Sequence, residues 1–230
     1  MIKISKLQKL YGKSRAVEIG LLEIPQGQSF GLVGNNGAGK TTLFRLILDL
    51  IKATDGEVLI KNTPVALRDE WKAFTGSFLD ESFLIEFLTP EEYFDFIAQL
   101  HQVGKDEFNS ILEKFEPFFN NEVLGKRKYI RDMSKGNQKK IGIVGAMIGT
   151  PEILILDEPF ANLDPSSQIK LKQILLAEQK ENGTTLLISS HDLTHVTDVC
   201  QRILVLEKGE VVQDISSEEN ALQALESYFA

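Results

Sequence analysis

Uninterrupted apolar runs, polar turns and helically spaced apolar positions divide this chain into three regions. Ser29-Phe30-Gly31-Leu32-Val33, Ile153-Leu154-Ile155-Leu156 and Thr184-Thr185-Leu186-Leu187-Ile188 are apolar almost throughout, as expected of parallel strands covered on both faces. Shorter strands are expected at Ile2-Lys3-Ile4, around Val17-Glu18-Ile19 and at Glu57-Val58-Leu59-Ile60. Pro25-Gln26-Gly27, Thr54-Asp55-Gly56 and Lys61-Asn62 supply turn chemistry between them. Arg202-Ile203-Leu204-Val205-Leu206, a Lys208-Gly209 turn and Glu210-Val211-Val212 read as a closing hairpin. Near Asp80 the period changes. Thr89-Pro90-Glu91-Glu92 is a capping box with proline at the first helical position, and Tyr93, Phe94, Phe96, Ile97 and Leu100 form a stripe behind it. A second helix is expected over 107–115, stopped by Pro117. A third starts at Ser134 and carries Ile141, Val144, Met147 and Ile148. Asp164-Pro165 caps a helix running to about Lys180 that Asn182-Gly183 ends, 192–200 reads as another, and 218–230 suggests a short terminal helix. The pattern is that of one α/β domain, strand-rich over 1–84 and 149–230, with a helical block inserted at 85–148.

Composition narrows the class without naming a function. With 230 residues, 43% apolar and 25% charged, the chain is globular. A net charge of −8 argues against a sequence-independent nucleic-acid binder, so no nucleic-acid partner is expected. The lone cysteine, Cys200, excludes an intramolecular disulfide and falls beside Val196 and Val199, where a buried structural thiol is expected. The opening residues lack the apolar core of a signal peptide, and no run approaches 18 apolar residues, so a membrane role requires a partner. The aromatic series Phe74, Phe78, Phe83, Phe87, Phe94 and Phe96 is core or a docking surface for that partner.

The chemistry starts where the first buried strand ends. Gly34-Asn35-Asn36-Gly37-Ala38-Gly39-Lys40-Thr41 fits the P-loop pattern, with Thr42 continuing into a helix over 42–50. Its glycines let several N–H groups face one anion, and the helix adds its positive dipole end. Lys40 would reach the outer phosphates and the Thr41 hydroxyl would ligate Mg²⁺. Asp157 and Glu158 follow a second buried strand, at the sheet edge where open α/β folds bind ligands. There Asp157 would hold Mg²⁺, and Glu158 would polarise a water for attack on the γ-phosphate. His191, ending a third strand, lies on the same edge and could contact the γ-phosphate and order that water. His101 and His195 carry no such support. Ser134-Lys135-Gly136-Asn137 opens a helix and exposes a second anion-binding end, which alone is only a cap.

Together these motifs resemble the ATP-binding subunit of an ABC transporter over nearly the whole chain. Gly34–Thr41 resembles Walker A, and Met133-Ser134-Lys135-Gly136-Asn137-Gln138 the ABC signature. Ile153–Glu158 is similar to Walker B with its glutamate, Ala161-Asn162-Leu163-Asp164 to the D-loop, and His191 to the switch histidine. Tyr11 matches the residue that stacks on adenine, and Asp80 falls at the Q-loop position, with Glu81 the neighbouring alternative. The resemblance implies a P-loop NTPase fold with a RecA-like core of mostly parallel sheet, an antiparallel β subdomain and a helical subdomain. It places ATP on Tyr11, on Gly34, Asn35, Asn36, Gly37, Ala38, Gly39, Lys40, Thr41 and Thr42, and across an interface on Ser134 and Gly136. Mg²⁺ falls to Thr41, Asp80 and Asp157, and catalysis to Glu158 and His191.

The family mechanism pairs two cassettes head to tail, with each ATP between the P-loop of one and the signature of the other. One P-loop and one signature here therefore imply a second cassette, identical or homologous. The resemblance also implies integral membrane permease subunits docked near the Q-loop and a position on the cytoplasmic face of the membrane. Met133, Lys135 and Asn137 depart from the usual Leu-Ser-Gly-Gly-Gln signature, while Ser134 and Gly136 keep to it. Lys135 resembles the exporter branch whose membrane subunits are separate polypeptides. Asp80 replaces the usual glutamine and adds negative charge beside the phosphates. The rival reading is a soluble ABC ATPase acting as an assembly factor or mechanical clamp.

Overall fold

Strands of the computed structural model, which describes residues 1–216 and Leu225, form one sheet rather than two. Its order is β5-β4-β1-β2-β10-β9-β3-β8-β7-β6. The strands are β1 (Ile2–Tyr11), β2 (Ser14–Ile24), β3 (Ser29–Val33), β4 (Asp55–Ile60) and β5 (Thr63–Pro64), followed by β6 (Thr75–Phe78), β7 (Ile153–Leu156), β8 (Thr185–Ser190), β9 (Arg202–Glu207) and β10 (Glu210–Ser216). From β9 through β3, β8 and β7 to β6 all pairings are parallel. From β5 through β4 and β1 to β2 all are antiparallel. The two regions join where β10 meets β2 through the single parallel pair Glu210↔Glu18. Hence the expected antiparallel subdomain is an extension of the main sheet, reached through one pairing.

The parallel strands have the pattern of strands covered on both faces. In β7, Leu154 and Leu156 pack into one core cluster and Ile153 and Ile155 into the other, as the two-residue period of a strand requires. The first cluster carries the helices α2 (Pro90–Leu100), α3 (Lys105–Phe119), α4 (Lys135–Met147), α5 (Pro165–Asn182) and α6 (Leu193–Val199). The second carries α1 (Lys40–Ile47) and the antiparallel strands. Helix α6 lies close to β3, because a Cβ on Gly31 would fall 2.1 Å from Val196 Cγ1 and 3.2 Å from Cys200 Sγ. Cys200 is thus a buried thiol whose pKa burial pushes far up.

Three expectations need amendment. Strands β1 and β2 run well beyond the short segments their alternation marked, pairing over most of their length across a register shift at Lys9/Leu10. Helix α3 does not stop before Pro117 but continues to Phe119. A proline late in a helix forfeits one N–H and crowds the preceding turn. Here the buried Phe115, Phe118 and Phe119 draw the last turn into the core, and Asn120 ends it in the left-handed region at φ 53. The Lys170 ammonium, 2.6 Å from the Pro117 carbonyl, caps that end. The aromatic series divides: Phe78 and Phe94 are core, Phe74 is half-buried, and Phe83, Phe87 and Phe96 are exposed. The expected helix at 218–230 lies, Leu225 apart, outside the described residues.

Candidate functional site

The P-loop conformation follows from what surrounds it. Gly34 admits no side chain, since a Cβ there would lie 2.4 Å from the Leu206 carbonyl oxygen. Gly39 adopts φ 108 as the N-cap of α1, and a Cβ on it would lie 2.5 Å from the Ala16 carbonyl. The loop is therefore pressed between the start of β2 and the β9–β10 turn, whose Gly209 N–H donates to the Ala38 carbonyl at 2.9 Å. No side chain caps α1, so its first-turn N–H groups carry no side-chain acceptor and suit an anion. An open pocket of about 210 Å³ is lined by Ala16, residues 36–42 and Glu158. A larger one, about 590 Å³, joins Asn35–Ala38 to Leu206, Glu207 and Lys208.

The ends of β7 and β8 and the start of α1 bring side chains together at this loop. The Lys40 ammonium, only 7% exposed, donates to the Gly34 carbonyl at 2.7 Å and lies 3.4 Å from Glu158 Oε1. Thr41 Oγ1 donates to Asp157 Oδ2 at 2.5 Å. Asp157 is buried at the end of β7, and its other oxygen accepts from the Ser189 hydroxyl. Burial pushes the Asp157 pKa up, with the negative charge of Glu158 adding to it. The hydroxyls of Ser189 and Thr41 and the charge of Lys40 pull the other way. Asp157 and Thr41 thus offer two hard oxygens in a buried site where a cation would offset the cost of the carboxylate charge, and this fits Mg²⁺. Among the described residues no group of three or more His, Cys, Asp or Glu could hold a metal by itself.

Glu158 is the most constrained residue of the group. Its φ of 48 is a left-handed conformation that costs a side-chain-bearing residue about 1–2 kcal/mol. Several contacts hold it, among them the ion pair with Lys40 and a bond from the Ala161 N–H to its carbonyl. Its N–H donates to Ser189 Oγ at 2.9 Å, its carbonyl accepts from Lys139 Nζ at 2.9 Å, and Oε2 meets His191 Nδ1 at 2.8 Å and the His191 N–H at 3.3 Å. The carboxylate fixes Nδ1 as the protonated nitrogen of the exposed His191 ring.

Lys40, Thr41, Asp157, Glu158 and His191 are thus brought together, while the other expected residues are placed differently. Asp80 does not join Thr41 and Asp157. It caps a short 3₁₀ turn, accepting from the Ser82 N–H at 2.8 Å, and lies 3.7 Å from Arg45. Tyr11 stands 54% exposed at the end of β1, with Lys9 Nζ 5.0 Å from its ring centroid, and lines neither P-loop pocket. Ser134 caps α4 by accepting from the Asn137 N–H at 3.3 Å. Gly136 is held near the Asn162 carbonyl, which a Cβ would approach to 2.7 Å. Neither lines a P-loop pocket. His195 is a packing residue, its ring centroid 4.5 Å from that of Phe160. Two participants escaped the sequence reading, Ser189 and Lys139. Both carry a signal in hindsight: a hydroxyl within a fully buried strand, and a lysine on the buried face of a helix, each demand a partner.

The comparisons with known proteins give this geometry a family. The model of the family described as ABC transporter matches residues 20–161. The chain belongs to the ABC transporter family. It is an ATP-binding subunit of that family, and its reaction is ATP hydrolysis. It is 36% identical over 83% of its length to an uncharacterized ABC transporter ATP-binding protein of Synechocystis, of which it spans about half, 54%. It is 30% identical to the lantibiotic transport ATP-binding protein SrtF of Streptococcus pyogenes, covering 100% of this chain and 96% of that protein. Among solved structures it resembles a dimeric post-hydrolysis ATP-binding cassette bound to ADP and Pi, with 26% identity, 95% of this chain and 99% of that chain covered, and a TM-score of 0.83.

Proposed function

We propose that the cassette binds Mg-ATP on residues 34–42 and hydrolyses it with Glu158 as general base and His191 as the residue that orders the γ-phosphate and its attacking water. The observation that carries this reading is the convergence of Glu158 and His191 at 2.8 Å beside a P-loop whose lysine lies 3.4 Å from the same carboxylate. Backbone N–H groups of the loop and the Lys40 ammonium hold the phosphates, Thr41 and Asp157 hold Mg²⁺, and Glu158 takes the proton of water. Bound there, Mg²⁺ supplies Lewis-acid neutralisation of the phosphate oxygens. Removing it with EDTA should lower phosphate release at least 100-fold, and addition of Mg²⁺ should restore it. Unchanged release in EDTA would remove Thr41 and Asp157 from the metal site.

The rest of the assembly follows from what the P-loop pockets lack. Ser134 and Gly136 line neither, so they serve the ATP of a second cassette, and the dimeric state of the structural relative bound to ADP and Pi supports this. Tyr11 provides an adenine platform at the open side, and residues 85–148 act as a lobe that carries the signature. Close to the Asp80 turn an apolar pocket of about 270 Å³ is lined by Leu50, Trp71, Leu79 and Phe83. Phe83 is 52% exposed and Phe87 63%. This surface suits an apolar segment of a membrane permease, and the similarity to a lantibiotic transport protein favours export. No helix among the described residues is long and apolar enough to cross a membrane. The cassette would then sit at the cytoplasmic face through its permease. Purification of the tagged chain from detergent-solubilised membranes of its own host tests this: an integral membrane protein should co-elute. Recovery with soluble proteins alone would sink the transport reading.

A further inference from the structure

Helix α4 buries three consecutive polar residues, Gln138, Lys139 and Lys140. Gln138 stays within the helical block, and Lys140 also reaches the N-cap of α5. Gln138 donates to the carbonyls of Ile130 and Met133 at 2.9 and 3.2 Å, and Lys140 lies 3.5 Å from Glu122 and 3.8 Å from Asp164. Lys139 turns elsewhere. Its ammonium donates to the backbone carbonyl of Glu158 at 2.9 Å and lies 3.9 Å from Glu81 Oε1 and 6.0 Å from the centre of the Phe78 ring. A lysine ordinarily carries its charge out to water, yet only 5% of this residue is exposed. Burial lowers its pKa, opposed by the surrounding charges of Glu81, Glu158, Asp157 and Asp80. Glu81 Oε1 is itself buried without a hydrogen-bond partner.

We infer that Lys139 is a positioning residue for ATP hydrolysis, its ammonium holding the Glu158 backbone in the left-handed conformation that sets the carboxylate against His191 and Lys40. The Glu158 carbonyl lies beyond the end of β7 and accepts a long 3.3 Å bond from the Ala161 N–H of the following turn. The lysine adds a shorter, charge-assisted bond at 2.9 Å, stronger than a neutral one. The link also has a direction. Lys139 stands five residues beyond the Ser134 cap on one continuous helix, about 7.5 Å along its axis. Movement of that cap on meeting a phosphate is therefore transmitted to the main chain of Glu158. Glu81, on the turn that Asp80 caps, is the second charge on the same ammonium. The inference rests on Glu158 being the base.

The test compares full-length wild type, Lys139→Met, Lys139→Arg and Glu158→Gln in steady-state Mg-ATP hydrolysis, with melting temperature measured alongside. Lys139→Met keeps the buried stem and removes the donor. It should lower kcat about 10- to 100-fold, with KM for ATP within threefold and melting within a few degrees of wild type. Lys139→Arg should recover most of kcat. A purely structural lysine would lower melting temperature and leave kcat per folded molecule unchanged. If Lys139→Met does not fold, Lys139→Leu, smaller and likewise without a donor, takes its place with the same expected split between kcat and KM. A kcat within twofold of wild type in a folded methionine or leucine variant overturns the inference. If Glu158→Gln is inactive while Lys139→Met is fully active, this inference alone fails. If Glu158→Gln hydrolyses ATP like wild type, the base assignment and this inference fall together.

Discussion

Replacing Glu158 with glutamine is expected to lower maximal ATP hydrolysis about a thousandfold while leaving Mg-ATP binding intact. The amide has the shape of the carboxylate but cannot take a proton from water, and general bases contribute about 10²- to 10⁴-fold. The backbone contacts that hold residue 158, from Ser189 and Lys139, do not involve the side chain and should persist. The side-chain oxygen can still accept from His191 Nδ1, 2.8 Å away. One further change favours binding. Lys40 loses the anion 3.4 Å from its ammonium and becomes more available to phosphate, so affinity for ATP should hold or rise. With binding intact and turnover blocked, a dimer that ATP completes should accumulate, visible by light scattering at saturating Mg-ATP. Phosphate release within tenfold of wild type would exclude Glu158 as the base. A strictly monomeric variant under those conditions would exclude pairing between two copies of this chain.

The parts of this site that could be read in the sequence are those whose chemistry and backbone requirement are written side by side. Gly34 and Gly39 are glycines because neighbouring carbonyls leave no space for a Cβ, and their spacing to Lys40 and Thr41 expresses that local geometry. Asp157, Glu158 and His191 each end an apolar run, and in a parallel sheet such ends share one edge. Residues that act across long sequence separations were not legible. Ser189 joins Asp157 to Glu158 only because β7 and β8 are neighbours, and Lys139 reaches Glu158 only because α4 packs on that edge. A position defined by spacing alone was a weaker guide. Asp80 is assigned by its place along the chain, and its carboxylate is engaged by Ser82 and Arg45. The fold shows the same division. Buried strands and capped helices were recognisable locally, while the single β2–β10 pairing that unites the sheet and the passage of α3 through Pro117 depend on tertiary packing.

Lys40→Met should separate nucleotide affinity from fold. The ammonium is almost wholly buried and is held by the Gly34 carbonyl at 2.7 Å and by Glu158. Methionine preserves the stem and surrenders one charge-assisted bond, so the nucleotide-free protein should lose only about 1–2 kcal/mol. Phosphate binding loses the one side-chain cation that lies within the loop, and affinity for Mg-ATP should fall about 100-fold. Thermal unfolding reads the two effects apart. At an ATP concentration 100 times the wild-type Kd, binding adds about 2.7 kcal/mol of stability. A variant bound 100-fold more weakly sits near its own Kd and gains only RT ln 2, about 0.4 kcal/mol. The comparison is cleanest with Glu158→Gln in both proteins, so that nucleotide is not consumed during the scan. An undiminished ATP-dependent rise in melting temperature for the double variant would show that backbone N–H groups and Mg²⁺ hold the phosphates without Lys40. The buried ammonium would then belong to the architecture of the loop, through its bond to Gly34, and not to nucleotide affinity.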